Sequence, residues 1–468
     1  MLTGIQFAER SSIPIYRQLA DRIVEQIRAG ILTDGQRLPP TRELAGQLGL
    51  NRTTVSAAYE VLESEGLIQG HVGRGSFVRY PSKPTPADSS VISFASSRPA
   101  QDDFPVAAFQ ATCREVIAGP MATVILQLGS PAGFPPLRHY LLERAREEGV
   151  AGPDDDILIT SGCQQALDLL QRVLAPAGTT VAIEDPVYHG QRNVFRRSDI
   201  RLAPVPVVEH GVDVEHLARV FAQERPKLAL LTPNFQNPTG STLPLSSREA
   251  IVRLAGEFQV IAIENDIYGG LRYVGESLPT LKRLGGAVLV RSFSKVAFPG
   301  LRVGWIIAPK ALIADLTEAR QWCDLHTDQL SQAVLLRFAE SGRLAEHAER
   351  TRTLGRERLQ AALFACEQHL PQGTAFTRPE GGMSIWVRLP EPLDAVELLP
   401  RAQRDGVSYV PGKHFAVGPH DARTLRLSFG GLPPSLIETG IARLGRLFQE
   451  EAERSRSVSR FEAASALV

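Results

Sequence analysis

From residue 92 onward, short runs rich in β-branched and apolar residues alternate with stretches of helical pattern. The runs fall at 157–160, 180–184, 228–232, 260–264 and 287–291. Strands separated by helix-length segments cannot pair as hairpins, so this spacing predicts a mostly parallel sheet covered by helices. That one feature sets the class of most of the chain as α/β, and it directs any ligand to the carboxyl ends of the strands. After about residue 345 comes a long helix rich in Arg and Glu. Strand-like stretches follow at 384–389 and 424–429, which predict a smaller α+β lobe. The main domain is expected over 92–452, with a polar, Ala-rich tail that frays over 453–468.

The first eighty residues follow a different rule. The chain has 468 residues, too many for one ordinary core, and two or three domains are expected. Ile15, Leu19, Ile23 and Ile27 recur every four residues, giving one apolar helix face. Pro39-Pro40 leads to Thr41, expected as the N-cap of a short helix through Leu48. Gly49-Leu50-Asn51 forms a tight turn, and Asn51 can cap a third helix that buries Val55, Ala58, Tyr59 and Leu62. Extended runs at 67–69 and 76–78 flank the glycine-rich segment 70–75, a hairpin signal with Arg74 at its tip. Residues 80–91, YPSKPTPADSSV, carry three prolines and read as a linker between a domain over 1–79 and the rest.

Helix, helix, tight turn, helix and hairpin describe a winged helix-turn-helix, whose third helix enters the DNA major groove. Arg52, Thr53, Thr54 and Ser56 then stand at the end of that helix which meets base edges or phosphates. Arg42 opens the preceding helix, where a phosphate can meet backbone amides. Arg74, flanked by glycines, can approach the sugar-phosphate chain or the minor groove. Charge alone does not announce DNA binding. Lys plus Arg equals Asp plus Glu at 51 each, and residues 1–80 hold nine arginines against eight carboxylates. On composition, a small helical domain for protein contacts remains an alternative. The wording LPPTRELAGQLGLNRTTVSAAYEVLESEGLI followed by GHVGRGSFV closely resembles the GntR-type winged helix over residues 12–79, which implies double-stranded promoter or operator DNA as partner.

The candidate site of the larger domain sits where the alternation directs it. A pocket for a phosphate-bearing aldehyde needs a Lys for an imine, hydroxyls and an Arg for phosphate, an aromatic face for the ring and donors to the ring atoms. Lys295 lies in RSFSKVAFPGLRVG, after the run 287–291, with Ser292, Ser294 and Arg302 around it. Gly162 and Cys163 open a helix directly after the run 157–160, a phosphate-cradle arrangement. Tyr188 follows Glu184-Asp185-Pro186 at a strand end, where it can lie on a ring. Asn237, in NFQNPTG, can donate to a ring oxygen or simply shape a turn.

SGCQQAL, EDPVY, TPNFQNPTG, SFSKVAFPGLRVGW and LRLSF together resemble fold-type I aminotransferases over about 92–450. The resemblance implies pyridoxal 5′-phosphate as cofactor and Lys295 as the Schiff-base lysine. It implies Arg302, Ser292 and Ser294 on the phosphate and Gly162 and Cys163 in its cradle. It further implies Tyr188 stacked on the ring, Asn237 on the ring hydroxyl, Tyr268 among the cofactor-binding residues, and Arg426 as a clamp for the effector's or substrate's carboxylate. Joined to a GntR-type head, this domain resembles the MocR/GabR group of regulators; the aminotransferase resemblance, a fold whose site is built at a dimer interface, implies a homodimer.

Two positions depart from the family pattern. In IENDIYGGLRY the family places Asp three residues before the Tyr, to keep the ring nitrogen protonated; here Asn265 precedes Tyr268 at that spacing, with Asp266 beside it. An amide cannot supply that charge. Either Asn265 or a shifted Asp266 meets the nitrogen, and the electronic need of the cofactor favours Asp266. In LGSPAGFPPLR, Leu128 stands where the family has a Tyr that reaches the partner subunit's phosphate.

These features predict a regulator that senses an amino compound, or pyridoxal phosphate itself, with transamination weak or absent. A working aminotransferase carrying a DNA-binding domain is the alternative, and a regulator that has lost its cofactor is a third. The four cysteines are scattered without metal spacing, so no metal site is expected. Neither a signal-peptide pattern nor an apolar run of about 18 residues is found, and a cytoplasmic protein with reduced thiols and no membrane association is expected.

Overall fold

The computed structural model describes residues 14–28, 31–33, 35–64, 67–71, 75–78, 91–196 and 199–465. Arg74 and nearly all of the expected linker lie outside them. The chain divides into two compact units, Met1–Ser90 and Val91–Val468.

The first unit holds helices α1 (Ile15–Arg28), α2 (Thr41–Leu48) and α3 (Arg52–Ser64), then strands β1 (Ile68–His71) and β2 (Gly75–Val78), paired antiparallel. Its core is the one the four-residue spacing outlines: Leu19, Ile23 and Ile27 of α1 meet Leu44 of α2 and Val55, Ala58, Tyr59 and Leu62 of α3. Ile15 is the exception at 46 % exposure, because the first turn of α1 reaches past that core. Gly49 ends α2 at φ 64°, the left-handed conformation that lets the chain reverse into α3, and Asn51 Oδ1 accepts from the Thr53 amide at 3.3 Å as expected of a cap. Thr41 is not the cap of α2. Pro40 holds that position without a side-chain bond and Thr41 is the first helical residue, so the tight Pro-Pro entry sets the start. The Tyr59 hydroxyl donates to the Pro39 carbonyl at 2.8 Å and ties α3 to that entry.

The second unit is built on an eight-stranded sheet. Its spatial order is Asp155–Thr160, Gly304–Pro309, Val288–Ser292, Ile261–Asn265, Leu228–Leu231, Thr180–Asp185, Arg201–Val208 and Gly211–Val212. The five strands from 288–292 to 201–208 run parallel, while 304–309 pairs antiparallel with both neighbours. All five expected runs are strands within two residues of their expected ends. The strand Arg201–Val208 carries Pro204 and Pro206 and was not expected from its pattern. Helices pack on both faces and enclose separate apolar clusters.

A smaller lobe follows the helix Arg343–His369. It is a four-stranded antiparallel sheet of Ala375–Phe376, Ser384–Arg388, Thr424–Ser428 and Val410–Pro411, with its own core. The start of the unit returns to this lobe: Ile92–Ser93 pairs in parallel with Val407–Ser408. The last helix continues from Pro434 to Ser465, through most of the segment expected to fray from 453.

Candidate functional site

The strand ends converge on a cavity of ≈ 510 Å³. Cys163, Tyr188, Asn237, Asn265, Tyr268, Ser292, Ser294, Lys295, Arg302 and Arg426 all line it.

One end of the cavity is cationic and hydroxylic. Gly162 (φ 78°, ψ 174°) precedes the helix Cys163–Leu174, and the Arg302 guanidinium passes so close that a Cβ on Gly162 would lie 2.5 Å from Nη2. Only glycine fits here. Arg302 Nη2 donates to the Ser161 carbonyl at 3.3 Å, and the Ser292 and Ser294 hydroxyls lie 2.7 Å apart. Burial pushes the Cys163 thiol up to about 12, which holds it as a neutral thiol beside these cations.

The middle is a chain of neutral and cationic donors. Lys295 Nζ donates to the Ser97 carbonyl at 2.6 Å and lies 5.3 Å from the centre of the Tyr268 ring. Asn237 Nδ2 donates to the Tyr268 hydroxyl at 3.3 Å, while its Oδ1 accepts from Arg426 Nη1 at 3.0 Å. Arg426 Nη2 donates to the Ala95 carbonyl at 2.6 Å. The guanidinium lies 4.9 Å from the centre of the Phe415 ring, and burial lowers its pKa. Burial likewise raises the Tyr188 phenol.

Asn265 and Asp266 point in opposite directions. Asn265, 3 % exposed at the end of its strand, lines the cavity, and its Oδ1 is buried without a hydrogen-bond partner. Asp266 does not line it, contrary to the sequence-based preference. It accepts from Asn234 Nδ2 at 2.8 Å and from Arg291 Nε at 2.9 Å, and it faces a separate cavity shared with Glu148. Neighbouring residues in extended backbone face opposite sides, and a carboxylate that already holds a half-buried cation has no drive to turn. Leu128 is 78 % exposed and stands outside the cavity.

Two unpartnered buried polar atoms, Asn265 Oδ1 and Arg426 Nε, belong to residues of this one cavity. Such atoms cost free energy unless a ligand completes them. With the hydroxyl–arginine end and the lysine, they fit a phosphate-bearing aromatic aldehyde with a ring nitrogen. Sequence reasoning passed over Ser96, Ser97, Arg98, Gln164 and His189, which also line the cavity. No local motif marks residues 96–98; they arrive through the pairing of 92–93 with the small lobe.

In the first unit Arg42, Arg52 and Thr53 are exposed and Thr54 and Ser56 half-exposed. Arg37, also passed over, lies at the base of the hairpin: a Cβ on Gly75 would sit 3.0 Å from its Nε.

Residues 90–444 match the family model for aminotransferase class I and II. The chain belongs to that family. Residues 15–78 match a second model, bacterial regulatory proteins of the gntR family, so the aminotransferase domain follows a GntR-type winged helix. The uncharacterized HTH-type transcriptional regulator YdcR of Escherichia coli is 30 % identical over 93 % of this chain and 99 % of its own length. A 2-aminoadipate transaminase of Thermus thermophilus is 37 % identical over 76 % of this chain and 89 % of its own. The kynurenine aminotransferase of Pyrococcus horikoshii, solved in complex with PMP, superposes with a TM-score of 0.75 at 35 % identity, covering 78 % of this chain and 92 % of that one. The MocR-type architecture expected from the sequence, a GntR head on a fold-type I aminotransferase domain, is thus the architecture of the chain.

Among the described residues no helix is long and apolar enough to cross a membrane, and no group of three or more His, Cys, Asp or Glu could hold a metal ion.

Proposed function

We infer that the chain is a pyridoxal-phosphate-dependent, DNA-binding transcriptional regulator that senses an amino compound, or the cofactor itself, through its aminotransferase-like domain. The observation that carries this is one chain holding both a GntR-type head and a cavity with Lys295, Arg302 and Arg426 converging in it. Relatives matched along nearly their whole length carry both parts as well.

Pyridoxal phosphate supplies an aldehyde that forms a reversible imine with amines. Lys295 is the residue to hold it. Arg302, Ser292, Ser294, Gly162 and Cys163 would hold the phosphate, Tyr188 would cover the ring, and Asn237 with Tyr268 would meet the ring oxygen. Arg426, desolvated and bonded to Asn237, presents its remaining Nε to a carboxylate. Asn265 would face the ring nitrogen as a neutral amide, which would not hold the ring as a cation and would reduce its power to draw electrons. That favours binding over turnover and sets the sensor above the alternative of a working aminotransferase.

Arg42, Arg52, Thr53, Thr54, Ser56 and Arg74 serve DNA. A homodimer is supported by the apolar side chains Ile117, Met121, Val124, Leu126 and Leu128, exposed along one segment. Two heads then read paired half-sites. The protein works in the cytoplasm.

The test is a titration of the cofactor-loaded protein with amines and amino acids, following the visible absorbance, with operator affinity measured with and without each responding compound. The expected result is a compound that shifts both. Rapid complete turnover to pyridoxamine phosphate would favour the enzyme, and a protein without a cofactor band would end the reading.

A further inference from the structure

The cavity is out of electrostatic balance. Arg98, Lys295, Arg302 and Arg426 line it, with His189 beside them, and no Asp or Glu does. In the family pattern an Asp would offset one of these cations; here that position is Asn265, and the nearby Asp266 is taken up by Arg291 and Asn234 outside the cavity. Like charges gathered in a partly desolvated space repel one another and select a ligand of opposite charge.

Three of the four cations have partners under the reading above. Lys295 meets the cofactor's aldehyde, Arg302 its phosphate, and Arg426 the carboxylate that every α-amino acid carries. Arg98 is left over. It has no ion pair or side-chain hydrogen bond among the described residues, and its charge is felt by Tyr188, where it lowers the phenol's pKa against the larger effect of burial.

The backbone that carries Arg98 is held firmly. The Ala95 carbonyl accepts from Arg426 and the Ser97 carbonyl from Lys295, both at 2.6 Å. The Ser97 hydroxyl lies 2.6 Å from that of Ser428, and the Arg98 carbonyl packs so closely on Gly431 that a Cβ there would come within 2.8 Å. Pro99 follows and restricts the next backbone torsion. The segment is thus stitched to the Schiff-base candidate and to the carboxylate clamp, while Arg98 itself is an exposed residue of the cavity lining with no side-chain partner among the described residues. A cation on a preorganised backbone, with no partner of its own, is a recognition group rather than a fold-stabilising one.

We propose that Arg98 receives a second anionic group of the effector, and that the compound sensed is an amino acid with an acidic side chain. This rests on the reading that the cavity binds an amino compound through Lys295 and Arg426. An acidic side chain gives Arg98 a direct partner; an apolar one leaves it without one, and a basic one is repelled by it.

The experiment uses the full-length, cofactor-loaded protein. Aspartate, glutamate and 2-aminoadipate are titrated against norvaline, norleucine and lysine, reading dissociation constants from the cofactor absorbance. At least one acidic compound is expected to bind about tenfold more tightly than norvaline, the low end for a charge-assisted bond because Arg98 is partly in water. R98M is expected to remove that preference and R98K to restore part of it. Raising the salt on the unmodified protein is expected to narrow the preference, a readout that depends on no variant. Norvaline binding as tightly as every acidic compound, or a preference that survives R98M, would overturn this proposal alone. An R98M protein whose subunits separate in sedimentation would overturn it too, by giving Arg98 to the interface. If no amino acid changes the absorbance, the sensor reading fails and this proposal with it.

Discussion

The winged-helix head and the cofactor cavity both depend on arginines, yet they hold them in opposite ways. Arg42 and Arg52 stand in solvent without ion pairs among the described residues, on helices whose other faces form the core. Arg426 is 5 % exposed, braced by Asn237, Ala95 and the Phe415 ring, and Arg302 is threaded past a glycine. Exposed cations on a helix suit a long, regular polyanion: each acts nearly alone, and each is screened by salt. Braced cations suit a small ligand whose few charged groups must be met at fixed points, and there each residue depends on its neighbours.

The strongest way to break this comparison is Lys295→Ala. It is expected to abolish the imine absorbance and the response to amines completely, while the unliganded head still binds operator DNA. A mobility-shift titration beside an absorption spectrum checks it, and a retained band would remove Lys295 from its role.

Next in size, Arg52→Ala should cost about 1–3 kcal/mol of specific operator binding and leave the cofactor spectrum intact. Combined with Arg42→Ala, the losses should add to within about 0.5 kcal/mol. The matching cycle in the cavity, Asn237→Ala with Arg426→Ala, should be non-additive by about 1 kcal/mol or more in effector binding. Additive behaviour in the cavity, or strong coupling in the head, would erase the contrast.

The smallest effects separate two adjacent residues. Asn265→Asp should raise the pH at which the bound ring nitrogen titrates by about one to two units, because an anion in contact favours the protonated ring. Asp266→Asn should leave that titration alone and cost about 1–2 kcal/mol of fold stability, since it removes one carboxylate from Arg291, which keeps Glu148. A pH series of spectra and a denaturation curve distinguish them, and reversed outcomes would return the ring nitrogen to Asp266.

Much of the molecule is legible in its sequence. The alternation of strands and helices is local, so its period can be read residue by residue, and Lys295, Arg302 and Gly162 stand in segments whose wording is specific. The head is legible for the same reason: the spacing of Leu19, Ile23, Val55 and Leu62 outlines a core that the fold then builds. Two expectations of local detail failed. Thr41 yields the cap to Pro40 through the geometry of chain entry, and helix persists beyond 453 although composition marked a tail.

The sequence by itself determined the fold class, the two-domain order and the residue types a cofactor of this kind requires. Only the tertiary structure decided which of Asn265 and Asp266 faces the cavity, because that depends on the competing pull of Arg291 and Asn234. It also decided that Arg98 joins Lys295 and Arg426, through backbone carbonyls nearly two hundred or more residues distant in sequence. Periodicity records what a residue does within its own helix or strand. Charge balance in a cavity is a sum over side chains that meet only once the chain has folded.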